Sequence, residues 1–485
     1  MKTLFVTSEV FPLNKTGGLG DVAYSLPHAL HYQGADIRLI LPAYRDVLGQ
    51  MRDLTLISRH DIDGDGCTHS VRLLQARHED FELPLYLVDC QPLFDRPGNP
   101  YNAPHGEGWH DNAERFTVFA RLVALVARNL AGLDWQPQVV HCNDWQSGLV
   151  PALLSDLHER PRSVFTIHNL AYTGQFPAAL YQRLRLPETL WHPDGLEFYG
   201  DFSMLKAGLQ YADIITTVSP TYAREICSPQ LGHGLDGVLR ARGDKLCGIL
   251  NGVDGQHWNP QTDTYLPAHF SADKPQPGKR ACKAALREYF FSDQDGAAVE
   301  RPLFGFVGRM VGQKGIDLIL DVLEDTLTHS DADFVFLGSG QREMENRLQV
   351  LAARYPQRVG VSTRFSETLA HLIEAGADCF LMPSRFEPCG LNQMYSMIYG
   401  TPPIVNRTGG LADTVTDTNA ASLNDGTATG FVMPTADAAS LADAIARALE
   451  HYQQPALWQQ IMHNGMTHDF SWGQRARQYL QLYST

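Results

Sequence analysis

Short apolar runs alternate along the chain with longer stretches in which apolar residues recur every three or four positions. In the first half, Leu4–Thr7, Ile37–Leu41, Val139–Asn143, Val164–His168, Ile214–Val218 and Leu246–Leu250 read as buried strands, with helical patterns such as Asp21–Gln33 and Trp145–His158 between them. From Pro302 onward the alternation is cleaner. Phe304–Val307, Phe334–Leu337, Val359–Thr363, Cys379–Met382 and Pro403–Val405 are strand-like, and Ile316–Thr328, Gln341–Arg354, Glu367–Glu374 and Leu391–Tyr399 are helical. This rhythm predicts an α/β protein built from doubly wound parallel sheets covered by helices on both faces. Between Asp254 and Lys279 the periodicity gives way to Pro-, Asp- and Gln-rich text, which predicts two domains, 1–250 and 251–485. Asp61–Gly66 and Pro97–Gly108 read as excursions from the first sheet. The last helices, Ala436–Tyr452 and Trp472–Tyr483, either cap the second domain or cross back to the first.

Composition narrows the function. At 485 residues the chain has room for two to four domains, and 44% hydrophobic with 19% charged residues is ordinary for a globular protein. With 39 Lys and Arg against 54 Asp and Glu, the net charge of −15 argues against a nucleic-acid partner. An anionic small molecule is admissible only where a few cations converge. The eight cysteines show no C-x-x-C pair and read as reduced thiols. Thr7, Ser8 and Glu9 interrupt any secretory apolar region, and no apolar run reaches the roughly 18–20 residues of a membrane span. A cytoplasmic protein is expected.

Several places carry candidate chemistry. Lys15-Thr16-Gly17-Gly18-Leu19-Gly20-Asp21 is echoed by Arg407-Thr408-Gly409-Gly410-Leu411-Ala412-Asp413, each after a strand and opening a helix. A cation, glycines and a helix start suit a phosphate or a closely approaching ligand, or simply a turn that needs glycine. Arg309 and Lys314 share a glycine-rich loop directly after the strand Phe304–Val307, where open α/β sheets bind ligands; the pair suits a diphosphate, or is a solvated loop. Glu387, in Ser384-Arg385-Phe386-Glu387-Pro388-Cys389-Gly390-Leu391, follows the Cys379–Met382 strand and either accepts sugar hydroxyls or caps a helix. Asp144, His168 and Asn169 follow two strands of the first domain and would face one crevice. There is no G-x-x-x-x-G-K-[ST], H-E-x-x-H or G-x-S-x-G motif. Gly338-Ser339-Gly340 begins like a dinucleotide fingerprint, but Glu343 stands at the third glycine position. Asp331-Ala332-Asp333 has a D-x-D form but precedes its strand, as a turn does. Nothing in the sequence calls for a metal or a cofactor.

Taken together, these blocks resemble the bacterial glycogen synthase and plant starch synthase family of retaining glucosyltransferases. The blocks are Lys15–Val22, Thr166–Tyr172, Leu250–Asp254, Arg309–Gly315, Ser384–Leu391 and Arg407–Val415, and the resemblance covers essentially the whole chain. It implies a GT-B fold, two Rossmann-like domains with the active site in the cleft between them. The implied reaction is transfer of glucose from ADP-glucose to the non-reducing end of an α-1,4-glucan, with retention and with no cofactor. It also implies a catalytic set of Glu387, His168, Asp144, Arg309 and Lys314. Substrate contacts would come from Lys15, Gly17, Gly18, Asp21, Tyr101, Asn169, Asn251, Phe365, Cys389, Gly390 and Leu391, with Trp145 as a neighbouring wall.

The chain departs from the family pattern in places. Phe365 stands where relatives often have a Gly-Tyr pair, Asn392 where Thr is common, and Asn143 replaces a common His. Tyr395 takes the position of a second Glu found in the wider superfamily. A UDP-sugar transferase, a nicotinamide enzyme and a non-catalytic glucan-binding scaffold are the competing readings. The joint presence of Lys15, His168, Arg309, Lys314 and Glu387 argues against the scaffold, and no block supports a pyridoxal-dependent phosphorylase.

Overall fold

In the computed structural model, which describes residues 1–292 and 299–484, the apolar runs of the first half become one large sheet. Its strands are β1 (Lys2–Val6), β2 (Asp36–Pro42), β3 (Asp53–Asp63), β4 (Thr68–His78), β5 (Phe81–Asp89), β6 (Val139–Asn143) and β7 (Arg162–Ile167). Three short strands, β8 (Gln175–Phe176), β9 (Glu197–Phe198) and β10 (Asp201–Ser203), form a small separate sheet. The large sheet then resumes with β11 (Ile214–Thr217) and β12 (Leu246–Gly248). Its order among the described residues is β12-β11-β7-β6-β1-β2-β5-β4-β3.

From β12 to β5 every neighbouring pair is parallel, while β5–β4 and β4–β3 are antiparallel. The expectation of a purely parallel sheet therefore fails at this edge. Asp61–Gly66, expected as an excursion, is the end of β3 and its turn into β4, a hairpin that needs no crossover helix. The stretch Trp145–His158 is also not one helix. It is a 3-10 turn, Trp145–Ser147, followed by Leu149–Leu154. Gly148 lies so close to the Met204 carbonyl that a Cβ would sit 2.0 Å from its oxygen.

Among the described residues the second half forms a six-stranded, wholly parallel sheet: β13 (Leu303–Val307), β14 (Asp333–Leu337), β15 (Val359–Ser362), β16 (Cys379–Met382), β17 (Pro403–Asn406) and β18 (Phe431–Met433). Its order is β15-β14-β13-β16-β17-β18, the doubly wound arrangement. β14 and β16 are buried at every residue, as continuous apolar runs in a covered parallel sheet should be. Phe304, Phe306, Phe334 and Phe336 pack with Ile316, Ile319 and Leu323 of the helix Ile316–His329. Asp333, read as part of a turn, is the fully buried first residue of β14. It accepts from Arg287 (2.7 Å), Arg301 (2.6 Å) and Arg358 (2.5 Å). Burial of that carboxylate depends on this cage.

The chain divides into two compact units, Met1–Gly252 with Trp472–Thr485, and Val253–Ser471. The final helix, Trp472–Ser484, thus belongs to the first unit. There Tyr483 pairs its hydroxyl with Nδ1 of the buried His141 on β6 at 2.6 Å, and Tyr479 packs against the same ring.

Candidate active site

Each of the two large sheets has one place where strand order reverses, and ligands of open α/β sheets bind at the carboxyl ends of the strands there. In the first unit the reversal lies between β1 and β6, and in the second between β13 and β16.

In the first unit, the chain leaves β1 through Ser8 and Glu9 and reaches the glycine loop before the helix Gly18–Tyr32. Glu9 is 3% exposed, and its carboxylate ties that loop down. It accepts from the amides of Thr16 (2.5 Å) and Gly17 (3.2 Å), from the Thr16 hydroxyl (2.7 Å), and from the Tyr101 hydroxyl. Lys15 donates to Asp21 at 2.8 Å, with its ammonium still partly exposed. An added Cβ at Gly17 would meet nothing within 4 Å, so this backbone is open to a ligand.

Across the reversal, Asp144 follows β6 with φ +54, a strained conformation for a non-glycine residue. Its Oδ1 accepts from the His168 amide at 2.7 Å and the Asn169 amide at 3.4 Å. Burial pushes the Asp144 carboxyl up to about 7, against the lowering effect of those two amides. His168 is the opposite case: burial holds its imidazole down at about 3, so it is neutral. Asn143 donates its Nδ2 to the Val6 carbonyl at 3.0 Å, which turns Oδ1 toward His168 Nε2 at 2.9 Å. His168 therefore carries its proton on Nε2, leaving Nδ1 as the acceptor. Asn143, a departure from the family pattern, thus sets the histidine tautomer. Trp145 is walled in by Phe116, Phe176 and Tyr101. Asn251 is 5% exposed, and its Oδ1 is buried without a hydrogen-bond partner.

In the second unit, Gly308 leaves β13 and the loop Arg309–Gly315 curls into a 3-10 turn before the helix Ile316–His329. Gly315 closes it at φ +72, where a Cβ would lie 2.3 Å from the Pro383 carbonyl oxygen. Lys314 donates to Glu387 Oε2 at 2.5 Å, and the Ser384 hydroxyl donates to the same oxygen at 3.1 Å. Glu387 is 8% exposed, whereas Arg309 is exposed and donates to Gln313 at 3.2 Å. Arg385 forks both carboxylate oxygens of Asp317 (2.7 and 2.6 Å), fixing the segment before Glu387 onto the helix after Lys314. Asn392 donates to the Val307 carbonyl at 2.9 Å and holds Leu391 beside β13. Gly338 and Gly340 press against the carbonyls of Gly308 and Met310, so that dinucleotide-like glycine pair serves loop packing. Phe365 stands apart on the loop after β15 and is 67% exposed.

The sequence matches the starch synthase catalytic domain family over residues 2–241 and the group 1 glycosyl transferases over 290–462. It is 52% identical over 484 residues to a glycogen synthase of Thioalkalivibrio sulfidiphilus, covering 100% of this chain and 99% of that one. A glycogen synthase of Hydrogenovibrio crunogenus is 49% identical, with the same coverage. The chain belongs to the glycogen and starch synthase family. Among solved structures, the catalytic domain of Arabidopsis thaliana starch synthase IV, bound to ADP and acarbose, matches with a TM-score of 0.88 at 33% identity. That match covers 100% of this chain and 98% of that chain. Sucrose-phosphate synthase of Thermosynechococcus elongatus, at 18% identity and a TM-score of 0.60, shares the fold.

Like these relatives, the chain is a GT-B glycosyltransferase. No helix among the described residues is long and apolar enough to cross a membrane. As a member of this synthase family it has two clusters of candidate residues. Lys15, Gly17, Asp21, Tyr101, Asp144, His168 and Asn169 gather at the reversal of the first sheet. Arg309, Lys314, Glu387 and the Cys389–Leu391 turn gather at that of the second. Sequence reasoning missed Glu9, Ser384 and the positioning role of Asn143. The one available signal was a carboxylate lying between a strand and a glycine loop.

Proposed function

We propose that this chain transfers glucose from ADP-glucose to the non-reducing end of an α-1,4-glucan, with retention of configuration, in the cytoplasm. We assign the glucan to the first domain and the nucleotide sugar to the second. The observation that carries this reading is the contact of Lys314 with Glu387 at the β13/β16 reversal, beside exposed Arg309. A carboxylate held by one ammonium and one hydroxyl is fixed to accept sugar hydroxyls. The same ammonium has further donors to offer a phosphate.

In the reaction, the bond between glucose C1 and the diphosphate oxygen breaks, and C1 bonds to the glucan hydroxyl on the same face. The hydroxyl proton passes to the departing phosphate oxygen. Arg309 and Lys314 stabilise charge on ADP as it leaves; Lys15 and the Gly17–Gly18 backbone are the first unit's candidate contacts to the donor. Neutral His168 offers Nδ1 as an uncharged acceptor to the glucose, Asn251 turns its unpartnered oxygen to substrate, and Phe365 stacks on adenine. Asp144, with Oδ1 occupied by two amides and a carboxyl raised to about 7, makes a poor nucleophile, which argues against double displacement. Trapping a glucosyl ester on Asp144 or Glu387 would overturn this route.

The test is glucose incorporation into glycogen from ADP-glucose and, separately, UDP-glucose, by the unaltered protein and by Glu387→Ala. The expected result is incorporation from ADP-glucose that falls by about 100-fold or more in the variant. Glycogen binding without incorporation from either donor would sink the proposal.

A further inference from the structure

A second constellation lies in the Val253–Ser471 unit, among residues to which no step of glucosyl transfer has been assigned. His257 sits in the irregular Pro- and Asp-rich segment, and Glu367 and His371 occupy one face of the helix Glu367–Gly376 at i and i+4. His371 is fully buried. Its Nδ1 is paired with Asp263 Oδ2 at 2.7 Å, and Asp263 is held in turn by the Tyr399 hydroxyl (2.5 Å) and the Tyr265 amide (2.8 Å). Trp258 stacks flat on the imidazole, centroids 3.8 Å apart and planes 9° from parallel. The ring is thereby locked, and its other nitrogen, Nε2, is buried without a hydrogen bond.

That nitrogen lies 3.6 Å from Glu367 Oε1, and His257 Nε2 lies 3.4 Å from the same oxygen. Both are long for hydrogen bonds. They are close to the edges of a tetrahedral metal shell: with metal–N and metal–O bonds of about 2.0–2.1 Å, neighbouring ligand atoms stand about 3.3–3.4 Å apart. No two of the three ligand atoms are more than 4.8 Å apart. A carboxylate on the far nitrogen of a ligating histidine is the usual support for such a ligand. Glu367 and His257 are 32% and 27% exposed, so an ion can enter and water can complete the shell.

We propose that His257, Glu367 and His371 bind a Zn²⁺ ion, with Asp263 orienting His371. The ion clips the irregular segment after Val253 to the helix Glu367–Gly376. Two histidines and a carboxylate with one open position form a set that zinc favours. The sequence hid the site because 110 positions separate His257 from Glu367.

The test is titration of the full-length, chelator-treated protein with Co²⁺, followed by Zn²⁺ displacement. One equivalent of Co²⁺ should give the visible bands of a tetrahedral N/O site, without thiolate charge transfer, and Zn²⁺ should abolish them. His257→Ala and Glu367→Gln alter half-exposed side chains and should leave circular dichroism unchanged. Each should weaken uptake by roughly 100-fold, and Asp263→Asn by about 10–100-fold. Absence of visible bands, or undiminished uptake in folded His257→Ala, would overturn the proposal. So would a thiolate band lost in Cys67→Ser, since Cys67, His69 and Glu114 form another possible ligand group.

Discussion

The two copies of the glycine phrase follow the same grammar and do opposite things. In Lys15–Asp21, Thr16 and the Gly17 amide are drawn onto the Glu9 carboxylate, and an added Cβ at Gly17 would meet nothing within 4 Å. In Arg407–Asp413 the glycines are already filled by protein. A Cβ on Gly409 would lie 1.9 Å from the Glu387 carbonyl oxygen, and one on Gly410 would lie 2.1 Å from that of Cys389. The Gly410 amide also donates to the Glu387 and Pro388 carbonyls, at 3.2 and 3.1 Å. Glycines at a strand-to-helix turn announce that something comes close. Whether it is a ligand or the chain itself depends on what the rest of the fold brings there.

The largest effect should come from crowding the filled copy. Gly409→Ala should cost about 1–3 kcal/mol for the clash and about 1–2 kcal/mol more for an alanine at φ +43. Since the clash displaces the segment carrying Glu387, kcat should fall about 100-fold, measurable beside denaturant unfolding. Loosening the open copy comes next. Glu9→Gln should lose about 1.5–3 kcal/mol, because four donors converge on one buried carboxylate. The Glu9 charge is one of the influences raising Asp144, so the same change should move the Asp144 titration downward, as carboxyl NMR would record.

A third outcome concerns pH. Asp144 titrates near 7 in the folded chain against an ordinary 3.8, so the folded state binds the extra proton between those values. Its stabilising contribution is complete below pH 3.8 and is lost as pH rises through about 7. Asp144→Asn should flatten the decline in unfolding free energy across that window; an unchanged slope would mean Asp144 is already ionised. Smaller still, Gly17→Ala should change stability by less than about 0.5 kcal/mol while raising the donor KM about tenfold. A stability loss like that of Gly409→Ala would erase the distinction between the copies. Arg407→Ala, at an exposed position, should leave both readouts within about 0.5 kcal/mol of the starting protein.

Much of the scaffold was legible because covered parallel strands are written as continuous apolar runs. β6 and β16 coincide with the runs that predicted them, and most other strands differ by a residue or two at their ends. The antiparallel edge was not legible. β3 is largely exposed, with Leu54 and Leu56 each 46% accessible, so its apolar residues do not mark a buried face. At the first reversal, the phrase carrying Lys15 could be read, but not the Glu9 carboxylate that shapes it, whose four bonds depend on Tyr101 and the glycine loop folding back together. Likewise, Asn143 looked like a mere substitution until its amide was seen to point one oxygen at His168. At the second reversal, Arg309, Lys314 and Glu387 were identifiable because each lies next to its strand in sequence. The Lys314–Glu387 contact spans 73 positions and belongs to the fold.

The last helix, in which Tyr483 meets His141, has a consequence for biogenesis. Its residues follow the whole of the second unit in the chain, yet they finish the covering of β6 in the first. During synthesis the first unit emerges early; His141 can already pair Nε2 with the Thr166 hydroxyl, but its Nδ1 waits for Tyr483 while more than two hundred further residues, Val253–Ser471, are added. Order of emergence and order of completion are therefore reversed for these two units: the one made earlier is closed only after the other has left the ribosome.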